Sequence, residues 1–448
     1  MNKIEKYLSS ESVTKHENIP PGFIVTGGKT DSRSISEGNI FFCISGNRSD
    51  GHHFVPEVSR KNCISVVDQS YVNSGKYPVI YSKNVIKTLG EFANIWRSSF
   101  DTLVFAITGS NGKTTTKEIL LKILSERFCT VATKGNFNNF IGVPLTLFSI
   151  GKQTEMAVVE IGTNSEGEIR YLTEITDPDF GLITNIGDAH LEKLCDRKGV
   201  YREKASLFEY LYSKGGKILL NTDDEYLREW DRGNITNYGQ EGKTQYRFDT
   251  VSLNSRGYPE FYFMEKFVSM KIRGMLNVRN ALAAAAAATE LGVSAEVTAK
   301  VLSGYTPSSN RYESLKYKNS TVLLDCYNAN PTSVKEMLND LSLTGGDYVI
   351  FLGDMFELGE MSDRYHSEVI SYAIKIKPVR LFLTGKYMKK AYEKICVDDI
   401  QIEYIEKFED LKRKFDEEAE KGSDLVVKGS RGLGLEKLTG GGDYAEKD

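Results

Sequence analysis

The stretch LVFAITGSNGKTTTKEILLKIL, residues 103–124, allows few folds. Its first six residues show no polar alternation and read as a strand buried on both faces, whereas the run after the glycines reads as a helix. Only a tight turn separates the two, and Gly109 and Gly112 supply the backbone freedom for it. Such a unit belongs to a layered α/β sheet, and it brings the helix's positive N-terminal end and unpaired N–H groups to one point. Phosphate oxygens suit that point. Lys113 then reaches the outer phosphates of a nucleotide and the Thr114 hydroxyl is placed for Mg²⁺, with Ser110, Asn111 and Thr115 completing the turn. The alternative is a glycine turn that only starts a helix. The spacing departs from the common phosphate loop, G-x-x-x-x-G-K-[ST], because Ile107 stands where the first glycine belongs. The guanine-reading motif N-K-x-D is missing too, which argues against a generic GTPase.

At 448 residues the chain is too long for one core, and its pattern divides into three α/β blocks. Residues 1–98 mix short strands (GNIFFCISG, CISVVD, YPVIYS) with polar turns and close on a helix, VIKTLGEFANIWRSSF. Residues 99–306 alternate strand and helix. LVFAITG, MAVVEIG, FGLITNIG and GKILLN are apolar runs ending in Gly or Asn, the mark of a mostly parallel sheet covered on both faces. ALAAAAAATELG reads as a close-packed helix. Residues 307–448 repeat the logic through TVLLDCYN, DYVIFLGD, VRLFLTG, QIEYIE and DLVVKGS, as a separate Rossmann-like domain. The tail GGGDYAEKD is expected to fray.

Composition excludes several function classes. A net charge of −4 gives no basic field for nucleic acid. No apolar run approaches the roughly 18 residues a membrane span needs. The first residues lack the apolar core of a secretory signal. The six cysteines are scattered without C-x-x-C, which suits buried free thiols in a reducing cytoplasm.

Six further segments extend the reading. GNFNNFIGVPLTL (135–147), VVEIG (158–162), TNIGDAHLE (184–192), DCYNANPTSV (325–334), LGDMFELG (352–359) and VKGSRG (427–432) follow the G-x-x-G-K-T-T loop in order. Together they resemble the Mur ligase family, whose ATP loop has this spacing. TDSR (30–33) and SGNRSDGHHF (45–54) resemble its uridine-nucleotide-binding domain. YNANP, LGDMFELG and VKGSR are similar to the branch that adds a dipeptide. The resemblance implies a small N-terminal UDP-sugar-binding domain, a central P-loop-type ATPase domain and a C-terminal domain that binds the incoming amine. It implies a monomeric cytoplasmic ligase that uses ATP to join D-alanyl-D-alanine to UDP-N-acetylmuramoyl-tripeptide through an acyl phosphate. The alternatives are a Mur ligase adding one amino acid to the muramoyl dipeptide, a folylpolyglutamate synthase-like enzyme, and a non-catalytic ATP-binding module.

The resemblance also assigns residues, each with a plainer alternative. Lys113 acts on the transferring phosphate. Thr114 and Glu160 hold one Mg²⁺, although Glu160 also reads as a strand-end surface carboxylate. His190 belongs to a second Mg²⁺ site, or is structural; nitrogen is an unusual ligand for magnesium. Lys204 is carbamylated and binds or orients metal, or is a solvated helical lysine. Asn280 contacts adenine, or caps and packs. The family often has histidine one residue before Asn277, where this chain has Leu276. Arg311 and Asp325 approach the ATP γ-phosphate and ribose. Asn328 and Asn330 touch the dipeptide or form a turn around Pro331. Lys428 and Arg431 bind a substrate carboxylate or make surface salt bridges. Ser32 and Arg33 contact the uridine nucleotide, and Asp50 and His52 do the same or only shape a turn.

Overall fold

A computed structural model describes residues 2–46, 49–307, 310–395 and 400–440. Cys396, residues 47 and 48 of SGNRSDGHHF, and the tail beyond Gly440 lie outside these residues.

The first domain is a five-stranded sheet of β1 (Val13–Glu17), β2 (Gly27–Lys29), β3 (Asn39–Phe42), β4 (Ile64–Asp68) and β5 (Val79–Ser82), in the order β1-β5-β4-β3-β2. Only β1 runs antiparallel to its neighbour. The helix Val85–Arg97 is capped by the Asn84 side chain and buries Leu89, Phe92, Ala93 and Trp96. Those positions recur at helical spacing, so one stripe faces the core. The Trp96 indole N–H donates to Ile150 O at 2.9 Å, tying this domain to the next.

The central sheet comprises β6 (Leu103–Thr108), β7 (Thr130–Ala132), β8 (Met156–Glu160), β9 (Phe180–Ile183), β10 (Lys217–Asn221) and β11 (Asn234–Tyr238). Its order is β11-β10-β9-β6-β8-β7, and every pairing is parallel. After β6 the chain runs to the far edge at β7, returns to β8 beside β6, and then builds β9, β10 and β11 on the other side. The C-terminal end of β6 is therefore a topological switch point, where open α/β sheets place ligands. A three-stranded antiparallel sheet follows: β12 (Asp249–Leu253), β13 (Pro259–Phe263) and β14 (Lys266–Ser269). The alanine helix, Met275–Glu290, packs closely on the helix Lys113–Ser125, since small side chains let helix backbones approach.

The C-terminal sheet has β15 (Glu313–Tyr317), β16 (Ser320–Asp325), β17 (Tyr348–Gly353), β18 (Arg380–Thr384), β19 (Gln401–Tyr404) and β20 (Asp424–Lys428). The order is β15-β16-β20-β17-β18-β19, parallel except for β15. Asp354 accepts from the amides of Tyr387 and Met388 at 3.0 and 2.8 Å and so caps the helix Lys386–Tyr392.

Two expectations need correction. Cys43, Cys63 and Cys326 are buried thiols, but Cys129 and Cys195 are exposed, because each lies in an irregular stretch beyond a helix end. Lys204 is not a solvated helical lysine. It lies on the inner face of the helix Arg197–Lys214 and is 1% exposed.

Candidate active site

The site grows from the β6 terminus. Gly109 has φ 146° and Gly112 φ 80°, so both adopt backbone that favours glycine. Their neighbours leave no room for a side chain either. A Cβ on Gly109 would lie 1.9 Å from Thr184 Oγ1, and one on Gly112 would lie 2.0 Å from Asn280 Oδ1. The turn is clipped to the segment after β9. Ser110 N donates to Asn185 O at 3.0 Å, Asn111 N donates to Asn185 Oδ1 at 3.0 Å, and Thr184 Oγ1 donates to Asn111 O at 2.6 Å. With those two amides engaged, the anion-facing donors come from the first turn of Lys113–Ser125, which no side chain caps. Lys113 Nζ folds back on Gly109 O at 2.6 Å. Burial holds its pKa below the ordinary lysine value, Glu160 opposes that, and the charge of Arg311 reinforces it.

Glu160 ends β8, where the register sets it beside Ile107. It is 1% exposed, so the surface-carboxylate alternative fails. Its Oε1 accepts from Thr114 Oγ1 at 3.1 Å and from Asn138 Nδ2 at 2.8 Å. Its Oε2 is buried without a hydrogen bond, 3.6 Å from Lys117 Nζ. A buried carboxylate oxygen left over, beside a threonine hydroxyl, fits Mg²⁺, which takes one or two protein oxygens and completes its octahedron with phosphate and water. Among the described residues no group of three His, Cys, Asp or Glu forms a self-sufficient metal cluster. Glu160→Gln is expected to raise the Mg²⁺ concentration needed for half-maximal ATP turnover by about tenfold or more. A magnesium titration at fixed ATP checks this, and an unchanged midpoint would remove Glu160 from the metal.

His190 and Lys204 converge on the same region. His190 Nδ1 contacts Glu357 Oε2 at 2.6 Å, across the domain boundary. Burial lowers the His190 pKa; the Glu357 hydrogen bond opposes this, and the charges of Lys204 and Lys113 add to it. A neutral ring that donates from Nδ1 presents its Nε2 lone pair. For Lys204, burial and then the charge of Lys113 hold the pKa well below the ordinary lysine value. The adjacent Glu203 does not pair with it. That carboxylate accepts from the amides of Gly167 and Ile169, both at 2.7 Å.

Asn280 is buried, takes a long 3.5 Å hydrogen bond from Thr116 Oγ1, and donates to Asn277 Oδ1 at 3.2 Å. Its packing role is thus plain, since it backs Gly112. From the third domain, Arg311 stacks 3.5 Å above the Tyr327 ring, and Arg431 lies 5.3 Å from the same ring. Asp325 and Lys428 end neighbouring strands in register and form an ion pair at 2.5 Å, with Lys428 1% exposed rather than on the surface. Lys428 Nζ also donates to Asn328 O at 3.2 Å. Asn330 caps the helix Pro331–Thr344 through Ser333 N, and its Nδ2 donates to Asn111 Oδ1 at 2.7 Å. The turn reading and a link to the phosphate loop therefore hold together at Asn330. Ser32 and Arg33 lie apart, with their hydrogen bonds inside the first domain: Lys61 to Ser32 O, and Arg33 to Asp31. Asp50 caps the turn Gly51–Phe54, and His52 Nε2 accepts from Asp68 N, so both shape local structure.

Sequence reasoning passed over Lys117, Asn138, Asn185 and Glu357. Lys117 was findable, because it lies one helical turn beyond Lys113 on the same face. The other three sit in quoted motifs, but their partners are far away in sequence.

Comparison with known proteins gives the family. Residues 107–288 match the Mur ligase middle domain, and residues 310–431 match the Mur ligase glutamate ligase domain. UDP-N-acetylmuramoyl-tripeptide–D-alanyl-D-alanine ligase of Bacillus subtilis is 33% identical over 93% of this chain and 92% of its own length. The chain belongs to the Mur ligase family. Among solved structures of this family, MurF from Acinetobacter baumannii superposes with a TM-score of 0.82 at 28% identity, covering 92% of each chain. MurF ligase from Thermotoga maritima in complex with ADP gives 0.80 at 25% identity, covering 92% of this chain and 96% of that one. The three-domain architecture expected from sequence is that of these Mur ligases. Among the described residues, no helix is long and apolar enough to cross a membrane.

Proposed function

We propose that this Mur ligase joins D-alanyl-D-alanine to UDP-N-acetylmuramoyl-tripeptide with cleavage of ATP to ADP and phosphate. The observation that supports the reading is the direct hydrogen bond between Asn111 of the phosphate loop and Asn330 of YNANP, the two segments to which the reading gives the nucleotide and the amine. Relatives named for this ligation resemble the chain along nearly its whole length.

A carboxylate does not accept an amine until one oxygen becomes a leaving group. In the proposed sequence the tripeptide's terminal carboxylate oxygen attacks the γ-phosphorus, the β–γ bridging bond breaks, and ADP departs. The dipeptide amine then attacks the acyl carbon, the carbon–oxygen bond to phosphate breaks, and the amine's proton passes to solvent or base. Three anionic groups meet in this sequence, so positioning and positive charge dominate the catalysis. Lys113 and the amides after Gly112 grip the phosphates, and Arg311 brings a second charge from the third domain. Asp325 is oriented by Lys428 toward the ribose side, while Asn328, Asn330 and Arg431 border the amine side. Ser32 and Arg33 serve the uridine nucleotide. Mg²⁺ neutralises phosphate charge when bound; Thr114 and Glu160 would hold one ion, and His190 with Lys204 would serve a second.

Lys204 suits carbamylation because it is buried and makes no hydrogen bond or ion pair among the described residues. Its neutral amine would add to carbon dioxide and release one proton, giving an oxygen donor beside His190. The domain boundaries belong to the same reading, at 98/99 and 306/307. They fall after the helix Val85–Arg97 and between the helix Ala295–Gly304 and β15.

The test supplies purified protein with ATP, Mg²⁺, the UDP-linked tripeptide and D-alanyl-D-alanine, and measures ADP and phosphate. Turnover that needs both organic substrates is expected. Turnover with the UDP-linked dipeptide and one free amino acid would overturn the assignment.

A further inference from the structure

The alanine helix begins without a cap of its own. Gly274 precedes it, and no side chain from its own segment accepts from its first amides. The acceptor comes from another domain: Asp340, on the helix Pro331–Thr344, takes a hydrogen bond from Met275 N at 2.9 Å. Gly274 has φ 90°, and a Cβ there would lie 2.3 Å from Asp340 Oδ2, so the glycine makes room for the carboxylate. That second oxygen accepts from Tyr312 Oη at 2.6 Å. Tyr312 directly follows Arg311, and its own N–H donates to Asp325 Oδ1 at 3.3 Å. Arg279 of the alanine helix donates to Glu336, one turn before Asp340, at 2.8 Å.

One buried carboxylate therefore touches both lines that lead to the phosphate loop. Along the first, the alanine helix carries Asn280 against Gly112. Along the second, Tyr312 joins the turn from which Arg311 stacks over Tyr327 to Asp340 and Asp325. Between them, Asn330 at the N-cap of Asp340's own helix bonds Asn111. We propose that Asp340 is a positioning residue of the nucleotide site: it caps the alanine helix from the neighbouring domain and, through Tyr312, sets Arg311 for the phosphates.

The inference rests on the ATP-site reading above but not on the identity of the acid or amine. Its test is accordingly nucleotide affinity, measured calorimetrically in the full-length protein with a non-hydrolysable ATP analogue and Mg²⁺, alongside kcat and KM where turnover is available. Asp340→Ala is expected to weaken analogue binding about tenfold, the range that follows from losing a helix cap and one buried contact. Asp340→Asn retains an acceptor for Met275 N and is expected to stay within about threefold of wild type. Tyr312→Phe keeps the packing and is expected to lose about threefold. In an Arg311→Ala background the Asp340→Ala effect should shrink to about threefold or less, because contacts acting through one shared group are not additive. Equal losses in both backgrounds would reduce Asp340 to a general stabiliser and overturn the proposal, as would an Asp340→Ala protein that binds like wild type. Wild-type protein that binds the analogue but ignores the tripeptide and dipeptide would sink the substrate assignment alone.

Discussion

Lys113→Ala is expected to lower ADP release by about a thousandfold while the protein remains folded, the scale at which a single charge aimed at a transition state is felt. The structure separates the two effects. Among the described residues Lys113 Nζ hydrogen-bonds only the carbonyls of Gly109 and Ser110, so its removal frees two backbone acceptors within the turn and breaks no contact to another element. The turn is held independently, by Asn185, Thr184 and the fit of Asn280 against Gly112. Thermal unfolding should therefore move by no more than a few degrees. Lys113→Arg should not rescue, because a planar guanidinium cannot occupy the space of a compact ammonium beside a loop this closely packed. The check is a coupled ADP assay beside a melting curve. A rate within tenfold of wild type would take Lys113 out of the mechanism.

The phosphate loop was legible because its chemistry is local. Two glycines, one lysine and one threonine within seven residues, between a strand and a helix, need no tertiary information to interpret. The sheets were legible for a related reason, since a strand buried on both faces is a continuous apolar run. LVFAIT, MAVVE and FGLI all appear where such runs predict. The sheet β12–β14 did not announce itself. One face of it is solvated, and exposed Tyr262 and Phe267 blur the alternation that would mark its strands. The same divide runs through the site. The family resemblance pairs Thr114 and Glu160, and each begins or ends an element, so local sequence places both at element ends. Glu357 and Asp340 could not be paired from sequence, because their partners His190 and Met275 lie on another domain. A residue's role there is set by how two domains dock, which neither periodicity nor spacing encodes. Lys204 shows the limit most sharply. In REKASLFEYL nothing in its spacing sets it apart, so the family resemblance alone singles it out, and only the packing of that helix on the sheet reveals that its amine is enclosed.

That enclosure leads to the second large effect. Lys204→Met should abolish most turnover, by about a hundredfold or more, yet raise the melting temperature near pH 7. The activity loss follows if the lysine, as amine or carbamate, orders the groups around His190. The stability gain follows from linkage. In the unfolded chain the lysine binds a proton up to about its ordinary pKa, 10.5, whereas burial and Lys113 make the folded chain release that proton at much lower pH. Between those two values the unfolded state carries more protons, so stability of the wild type rises with pH across that window and is lost as pH falls. Methionine has nothing to deprotonate and fills a similar volume, so a gain of about 1–4 kcal/mol is the scale to expect at neutral pH. The advantage should shrink as pH rises toward 10, because the wild type then no longer has to release a proton on folding. Bicarbonate separates the two forms of the lysine. A carbamate stabilises the wild-type fold as carbon dioxide is added and gives a carbon-13 signal from labelled bicarbonate, neither of which the methionine variant can show. Melting curves at pH 7 and 9.5, with and without bicarbonate, decide it. If Lys204→Met melts lower than wild type at both pH values, the lysine is held by a stabilising partner, and its reading as an enclosed, unpaired amine is wrong.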